Sequence, residues 1–478
     1  MAGPATIWWI RRDLRLADNP ALAWAVARGG PVLPVFVHDE LVEAMGAAPR
    51  WRLERGLAHL AETLEDAGSR LILRRGTAAG VLPALAEEAG AGAIAFNRLC
   101  PHKERRRDDE VADALGAAGL EAHAAWGHVL FEPDAIRTGT GGIYKVYTPY
   151  WKNVSRRDPG APEPAPARLP APDAWPEGDD LAAWGMGAAM DRGAEVVARH
   201  ARVGEAAAQA ALEAFLDKGL RGYATSRDVL GRRDGSTKLS ENLTLGEIGP
   251  RTCWAAARAE MERGNPGAET LLKEIVWRDF AHHLAWHTPQ LTEGHWRPEW
   301  ARFPWRGDNA QAEAWRRGRT GVRVVDAALR EMYVTGTMHN RARMIAASYL
   351  VKHLLTDWRL GAAWFADCLI DHDPASNAMG WQWVAGSGPD ASPFFRIFNP
   401  ETQAEKFDSD RTYRRHWIAE GQADPSEDAL SYFDAVPRSW GLSPDDPYPA
   451  EPVVGLAEGR QRALDALAQA KEAMRAAG

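Results

Sequence analysis

Short apolar runs alternate with alanine-rich helical stretches over the first hundred residues. Thr6–Ile10, Pro31–Val37, Leu71–Leu73 and Ala93–Phe96 read as buried strands, with helices opening at Asn19-Pro20 and running over Trp51–Ala67 and Ala78–Ala89. That alternation predicts an α/β domain built on a doubly wound parallel sheet. From about residue 195 it gives way to helical periodicity alone, beginning with AAAQAALEAFLDKGL, which predicts an all-α domain. Between the two, Asp158 to Asp180 is dominated by proline, alanine and acidic residues, the composition of a surface linker. The expected organisation is therefore an α/β domain over residues 1–130, a linker region over 131–200 and a helical domain over 201–478.

Composition narrows the function classes. A length of 478 residues accommodates two or three domains at roughly 100–200 residues each. Hydrophobic residues at 45% and charged residues at 26% describe a soluble globular protein. A net charge of −8 argues against coating nucleic acid over the whole surface, so any DNA contact must use a local basic patch. Cys100, Cys253 and Cys368 are scattered and odd in number, which fits a reducing cytoplasm and excludes a disulfide framework or a cysteine metal site. The run Ile7–Ile10 ends at Arg11-Arg12 and is too short for a signal segment or a membrane span. Twenty-one tryptophans are the outlier and suggest aromatic ligands or electron traffic, although packing alone can use many of them.

Several stretches concentrate chemistry. Asp371, Asp373 and Asn377 precede Trp381 and Trp383, which bracket Gln382 ahead of a Gly/Ser/Pro-rich loop. On a helix Asp373 and Asn377 share a face, and the amide can approach a ring nitrogen without adding charge; a helix end with core tryptophans is the plainer reading. Ser236 and Thr237 precede a helical run, where hydroxyls, free N–H groups and Lys238 can cradle phosphate oxygens or merely cap the helix. Glu274, Trp277, Arg278 and Ala281 fall on one helical face, either as a converging site or as a Glu274–Arg278 pair beside a core indole. His282, His283 and His287 lack the acid of an HExxH pattern, so no metal is expected. The first βα turn, IRRDLRLADNP, holds no glycine, which removes a dinucleotide fingerprint there.

The strings DHDPASNAMGWQWVAGSGPDASPFFRIFNP and GTMHNRARMIAASYLVKHLLTDW resemble the C-terminal signature of the photolyase/cryptochrome family. IYKVYTPYWKN (143–153), closing the first domain, is similarly family-like, and Arg11, Asp13, Leu14, Arg15, Asp18 and Asn19 match its opening RxDLRxxDN, residues that read as structural. The resemblance spans most of the chain and is closest to class I/III-type cyclobutane pyrimidine dimer photolyases. It implies FAD held by Tyr223, Ser236, Thr237, Lys238, Leu239, Ser240, Arg278, Arg343, Asp371, Asp373 and Asn377, with Arg343 paired to Asp371. Lys238 stands where many relatives have arginine, which keeps phosphate contact but not bidentate geometry.

The same resemblance implies a lesion pocket. Glu274, Asn340 and Met344 would contact the pyrimidine dimer, and Trp277 and Trp383 would pack on it. Asn340 and Met344 occupy positions that carry a histidine pair in enzymes for the pyrimidine–pyrimidone lesion, which favours the cyclobutane dimer as substrate. Trp305, Trp358 and Trp381 would pass electrons from surface to flavin. DNA would meet Arg227, Glu274, Trp277, Arg278, Asn340, Arg341 and Arg396. An antenna pigment is also implied, methenyltetrahydrofolate in preference to 8-hydroxydeazaflavin: Glu104 matches a folate pattern, Lys103 departs from it, and KERRRDDE reads equally well as a solvated helix face. The expected protein is a cytoplasmic monomer, off the membrane, that repairs UV-damaged DNA in blue light. A cryptochrome-type photoreceptor with the same flavin site and a dark flavin oxidoreductase are the alternatives.

Overall fold

The computed structural model describes residues 3–232, 234–390 and 395–476. Five strands, β1 (Ala5–Ile10), β2 (Val32–His38), β3 (Ile72–Arg75), β4 (Ala91–Asn97) and β5 (Glu121–Ala125), form one parallel sheet in the order β3-β2-β1-β4-β5. Helices α1 (Pro20–Ala27), α2 (Ala47–Asp66), α3 (Ala78–Ala89) and α4 (His102–Ala117) cover it. Side chains alternate along β1: Trp8 and Ile10 join a core with Leu22 of α1 and Leu57 of α2, whereas Ile7 and Trp9 join another with Leu82 of α3 and Val111 of α4. This period of two, with both faces covered, is what a continuous apolar run such as Ile7–Ile10 requires. β5 was not anticipated. It is an edge strand whose sequence, EAHAA, carries no apolar run and stays exposed or half-buried.

At the switch between β1 and β4, where doubly wound sheets often bind ligands, the charged turn fills the crevice. Asn97 Nδ2 donates to Asp13 Oδ2 at 2.7 Å and to Asn19 Oδ1 at 2.8 Å, and Arg11 pairs with Asp108. The turn is structural, in line with its sequence.

Residues 155–180 contain no helix or strand, but they are docked. Val32 N donates to the Pro170 carbonyl at 2.8 Å and Asp179 N to that of Leu73 at 2.9 Å. The helix α5 (Tyr147–Val154) belongs by packing to the other half. Its Tyr147, Tyr150 and Val154 share a core with Trp254 and Phe280, because burying those side chains outweighs their proximity in sequence to the sheet.

The helical half positions the site through α6 (Ser240–Leu245), α7 (Ala268–His287), α8 (Arg323–Thr335), α9 (Asn340–Ser348), α10 (Trp358–Cys368) and α11 (Pro374–Ala385). Among the described residues no helix is long and apolar enough to cross a membrane. Buried charges lock the halves together. Arg52 of α2, wholly inaccessible, donates from Nε to Glu241 at 3.0 Å and from Nη2 to Glu247 at 2.6 Å. Removing one member of a buried ion cluster strands the others. We expect Arg52→Met to cost about 3–5 kcal/mol, read as a lowered urea midpoint, whereas a neutral result would mean that Glu241 and Glu247 find water instead.

Candidate functional site

Helix α7 buries Leu272, Val276, Phe280 and Leu284 on one side and turns Glu274, Trp277 and Arg278 into a cavity of about 1390 Å³. The intrahelical Glu274–Arg278 pair does not form. Glu274 pairs with Arg227, while Arg278 Nη1 donates to the His128 carbonyl at 2.7 Å and Nη2 lies 2.7 Å from His128 Nε2. Desolvation raises the Glu274 carboxyl above its ordinary value, with the Arg227 charge opposing it. Trp277 is covered on one face by Tyr147, with ring centroids 3.6 Å apart and planes within 6°. The Tyr147 hydroxyl in turn donates to the Lys273 carbonyl at 2.8 Å. Tyr147 was missed as a site residue, although it stands in the family-like string 143–153; nothing local says which face it covers.

Helix α11 is started by Asp373. Its Oδ1 accepts from Ser376 N at 2.7 Å, and its Oδ2 lies 3.0 Å from His282 Nε2 on α7. Burial would raise this carboxyl, but His282 and Arg278 outweigh burial and hold it well below the usual range. His128, His282 and Asp373 have metal-like spacing, within 4.8 Å of one another. The Arg278 guanidinium against His128 puts a fixed cation there, so charge repulsion disfavours a metal ion.

Further along α11, Asn377 Nδ2 donates to the Ala362 carbonyl at 3.0 Å, and Trp381 forms cavity wall. Trp381 reaches α10 only because residue 361 is glycine: a Cβ there would sit 2.1 Å from Trp381 Cη2. Gln382 is buried and ties α11 to the loop before residue 297, accepting from Trp296 N at 2.7 Å and donating to the carbonyls of Leu291 and Gly294 at 2.8 and 3.0 Å. Neither Gly361 nor the partners of Gln382 could be read from local sequence. Residues 391–394 of the loop expected after Trp383 lie outside the described residues.

The remaining cofactor candidates line the same cavity: Tyr223, Ser236, Thr237, Lys238, Leu239, Ser240, Arg343 and Asp371. Lys238 takes a left-handed backbone, φ 52°, that turns the loop before α6. Arg343 Nη2 meets Asp371 Oδ2 at 2.5 Å, while Asp371 Oδ1 is buried without a hydrogen-bond partner among the described residues. Asn340, Met344, Trp383 and Arg396 complete the lining, with Asn340 Nδ2 3.9 Å from Met344 Sδ and the Arg396 guanidinium 5.7 Å from the Trp383 ring centre. Arg341 stands apart, paired with Asp228 at 3.0 Å and stacked over Phe407. Trp358 and Trp305 also lie off the cavity, the first buried and the second half-buried, with the His295 ring packed against both.

Residues 6–171 match the sequence model described as DNA photolyase, and residues 271–469 match that of the FAD binding domain of DNA photolyase. A deoxyribodipyrimidine photo-lyase of Agrobacterium fabrum is 41% identical over 98% of each chain. The chain belongs to the DNA photolyase family. Its fold is similar to that of a class III photolyase from Agrobacterium tumefaciens, with a TM-score of 0.90, 40% identity and coverage of 99% of this chain and 98% of the other. A cryptochrome from Synechocystis is more distant, at TM-score 0.82 and 28% identity over 97% and 99%. The family's FAD-binding domain contains α7 to α11, and the cavity suits FAD: it is large, it has an aromatic wall, and Asp371 Oδ1 awaits a donor.

The α9 end of this family site should be acid-sensitive. His339 caps α9 by accepting Arg341 N at Nδ1, 3.1 Å away, and desolvation lowers its pKa from 6.5 to about 4. The unfolded chain therefore takes up this proton first. The stability contributed is full above pH 6.5 and drains as pH falls toward 4, by up to about 3 kcal/mol at the low end. His339→Asn keeps a capping oxygen without a titrating ring, so its unfolding midpoint should fall less steeply between pH 6.5 and 4. Parallel curves for the two proteins would sink the assignment.

Proposed function

We propose that this chain is a deoxyribodipyrimidine photo-lyase that repairs cyclobutane pyrimidine dimers in UV-damaged DNA. The observation that carries this reading is convergence: Glu274, Trp277, Asn340, Met344 and Trp383 line the same cavity as the flavin-side residues Asp371, Asn377 and Trp381. When bound and reduced, FAD excited by blue light supplies an electron to the dimer and recovers it after the ring splits, with no net redox change.

The protein's part is holding, positioning and excluding water. Ser236 to Ser240, with Tyr223, would grip the phosphates, and Asp371, kept in place by Arg343, would accept a hydrogen bond from the flavin through its unpartnered oxygen. Asn377 offers an amide with no charge, so it does not oppose the negative charge of a reduced ring. The flipped dimer would stack on the free face of Trp277, whose other face Tyr147 backs, and against Trp383. Asn340 and Met344 offer an amide and a thioether in place of a histidine pair. Glu274 would hydrogen-bond the dimer's carbonyl edge as negative charge develops there; burial raises its carboxyl above the ordinary value and the Arg227 charge opposes that rise. On the DNA strand, Arg396 is exposed beside Trp383 and Arg227 and Arg278 flank Glu274; Arg341 would have to share or leave Asp228.

A folate-type antenna, a monomeric state and a cytoplasmic location belong to the same reading. Glu104 is half-buried in the first turn of α4, which meets the end of α7 through Arg105 Nη1, 3.2 Å from the Trp286 carbonyl.

Blue-light repair of an oligonucleotide with one thymine cyclobutane dimer, against a dark control and a pyrimidine–pyrimidone substrate, tests the proposal. Repair is expected only in light and only of the cyclobutane lesion. Glu274→Ala should lower the yield about threefold to tenfold, the worth of one hydrogen bond, with FAD content unchanged. An unaltered yield removes the role of Glu274, and absence of all repair by a photoreducible wild-type protein favours the photoreceptor reading.

A further inference from the structure

The three tryptophans of the proposed electron chain differ in one atom's surroundings. The Nε1 atoms of Trp381 and Trp305 are buried with no hydrogen-bond partner among the described residues. Trp358 Nε1, by contrast, donates to His295 Nδ1 at 3.2 Å. The imidazole meets Trp358 edge to face, at 6.0 Å and 70°, and lies nearly parallel to Trp305, at 6.4 Å and 10°. Its loop is fixed by the three hydrogen bonds of Gln382, so α11, which carries Trp381, also aims His295. An Nδ1 that accepts leaves the ring neutral, with its own proton on Nε2. Desolvation and then Arg359 lower the pKa of His295, with Asp357 opposing; these two facing charges pair with one another at 2.5 Å.

We propose that His295 takes the indole proton of Trp358 once Trp358 has lost an electron. The inference rests on the electron-chain reading above. An electron leaves Trp358 for Trp381 and passes on to photoexcited oxidised flavin, the one-electron oxidant. An oxidised indole N–H is far more acidic than a neutral one, so the proton crosses the existing hydrogen bond from Nε1 to Nδ1. The Nε1–H bond breaks and the Nδ1–H bond forms, leaving a neutral indolyl radical and an imidazolium. The positive charge has moved from indole to imidazole, which slows the electron's return. An electron arriving through Trp305 from a thiol-class reductant restores the neutral indole as the proton comes back.

Transient absorption on the FAD-loaded protein tests this in a Trp305→Phe background, where the hole must stop at Trp358. The neutral indolyl band is expected. Adding His295→Asn keeps an acceptor oxygen for the indole but removes the base, so the radical-cation band should not convert to the neutral one, and the radical should recombine about tenfold or more faster. In flavin-free protein, the indole ¹H–¹⁵N resonance of Trp358 should shift as His295 titrates below the ordinary 6.5, and this response should vanish in His295→Asn. If His295→Asn leaves the neutral band in place while Trp381→Phe abolishes flavin photoreduction, the proton-acceptor role alone is overturned. If Trp381→Phe leaves photoreduction intact, the electron chain itself is wrong and the role of His295 falls with it.

Discussion

The carboxylate of Asp373 joins the two helices on which the site is built. One oxygen caps α11 through Ser376 N, and the other meets His282 of α7. A side-chain cap contributes about 1 kcal/mol, and a buried carboxylate–imidazole contact contributes little net stability because desolvating both partners offsets their attraction. The value of the contact is register. With the start of α11 pinned to the middle of α7, Asn377 and Trp381 face Glu274, Trp277 and Arg278 across one cavity. The bulk of the stability comes from the apolar cores on either side, which bury Leu271, Ile275 and Phe280 in one case and Phe365, Leu369 and Val384 in the other.

The α/β half acts on this cavity from behind. Arg12 Nη1 reaches Thr244 Oγ1 at 3.1 Å and the His372 carbonyl at 3.3 Å, and Arg15 Nη1 reaches the Gly246 carbonyl at 2.9 Å. With Arg52 on Glu241 and Glu247, these contacts fix both ends of α6, and therefore the loop 236–240 that precedes it. A sheet whose switch-point crevice is filled by its own charged turn thus serves the flavin site as a scaffold. The glycine-free turn removes a dinucleotide fingerprint at that position.

What could be read in advance was local. The four strands with apolar runs were legible because both of their faces are buried, whereas β5 was not, since an edge strand of alanine, glutamate and histidine carries no hydrophobic signature. Whereas local spacing alone left a plainer structural reading open for each, the cavity-lining residues were legible through the family resemblance of the strings that hold them. Their partners were not. Tyr147 on Trp277, His128 on Arg278, Arg227 rather than Arg278 on Glu274, and Gly361 beneath Trp381 are contacts between segments far apart in sequence. Segment 143–153 illustrates the difference: its composition was plain, yet only three-dimensional packing attaches it to α7 and not to the sheet.

The charges around the cavity are largely neutralised before any ligand enters. Glu274 faces Arg227, Asp371 faces Arg343, and Arg278 lies among His128, Asp373 and Asp279. Asn340, Met344, Asn377, Trp277, Trp381 and Trp383 add polarity or polarisability without formal charge. An electron crossing such a lining meets fixed dipoles and paired ions, so little reorganisation accompanies its movement in either direction. In the proposed electron chain, positive charge on the tryptophans has the opposite need, because it must be kept from returning. Among the described residues the buried Trp381 and Trp305 Nε1 atoms have no hydrogen-bond partner, whereas Trp358 Nε1 has His295. In the proposed function the same fold keeps electron exchange inside the cavity reversible, and the proposed proton transfer to His295 governs the path to the surface.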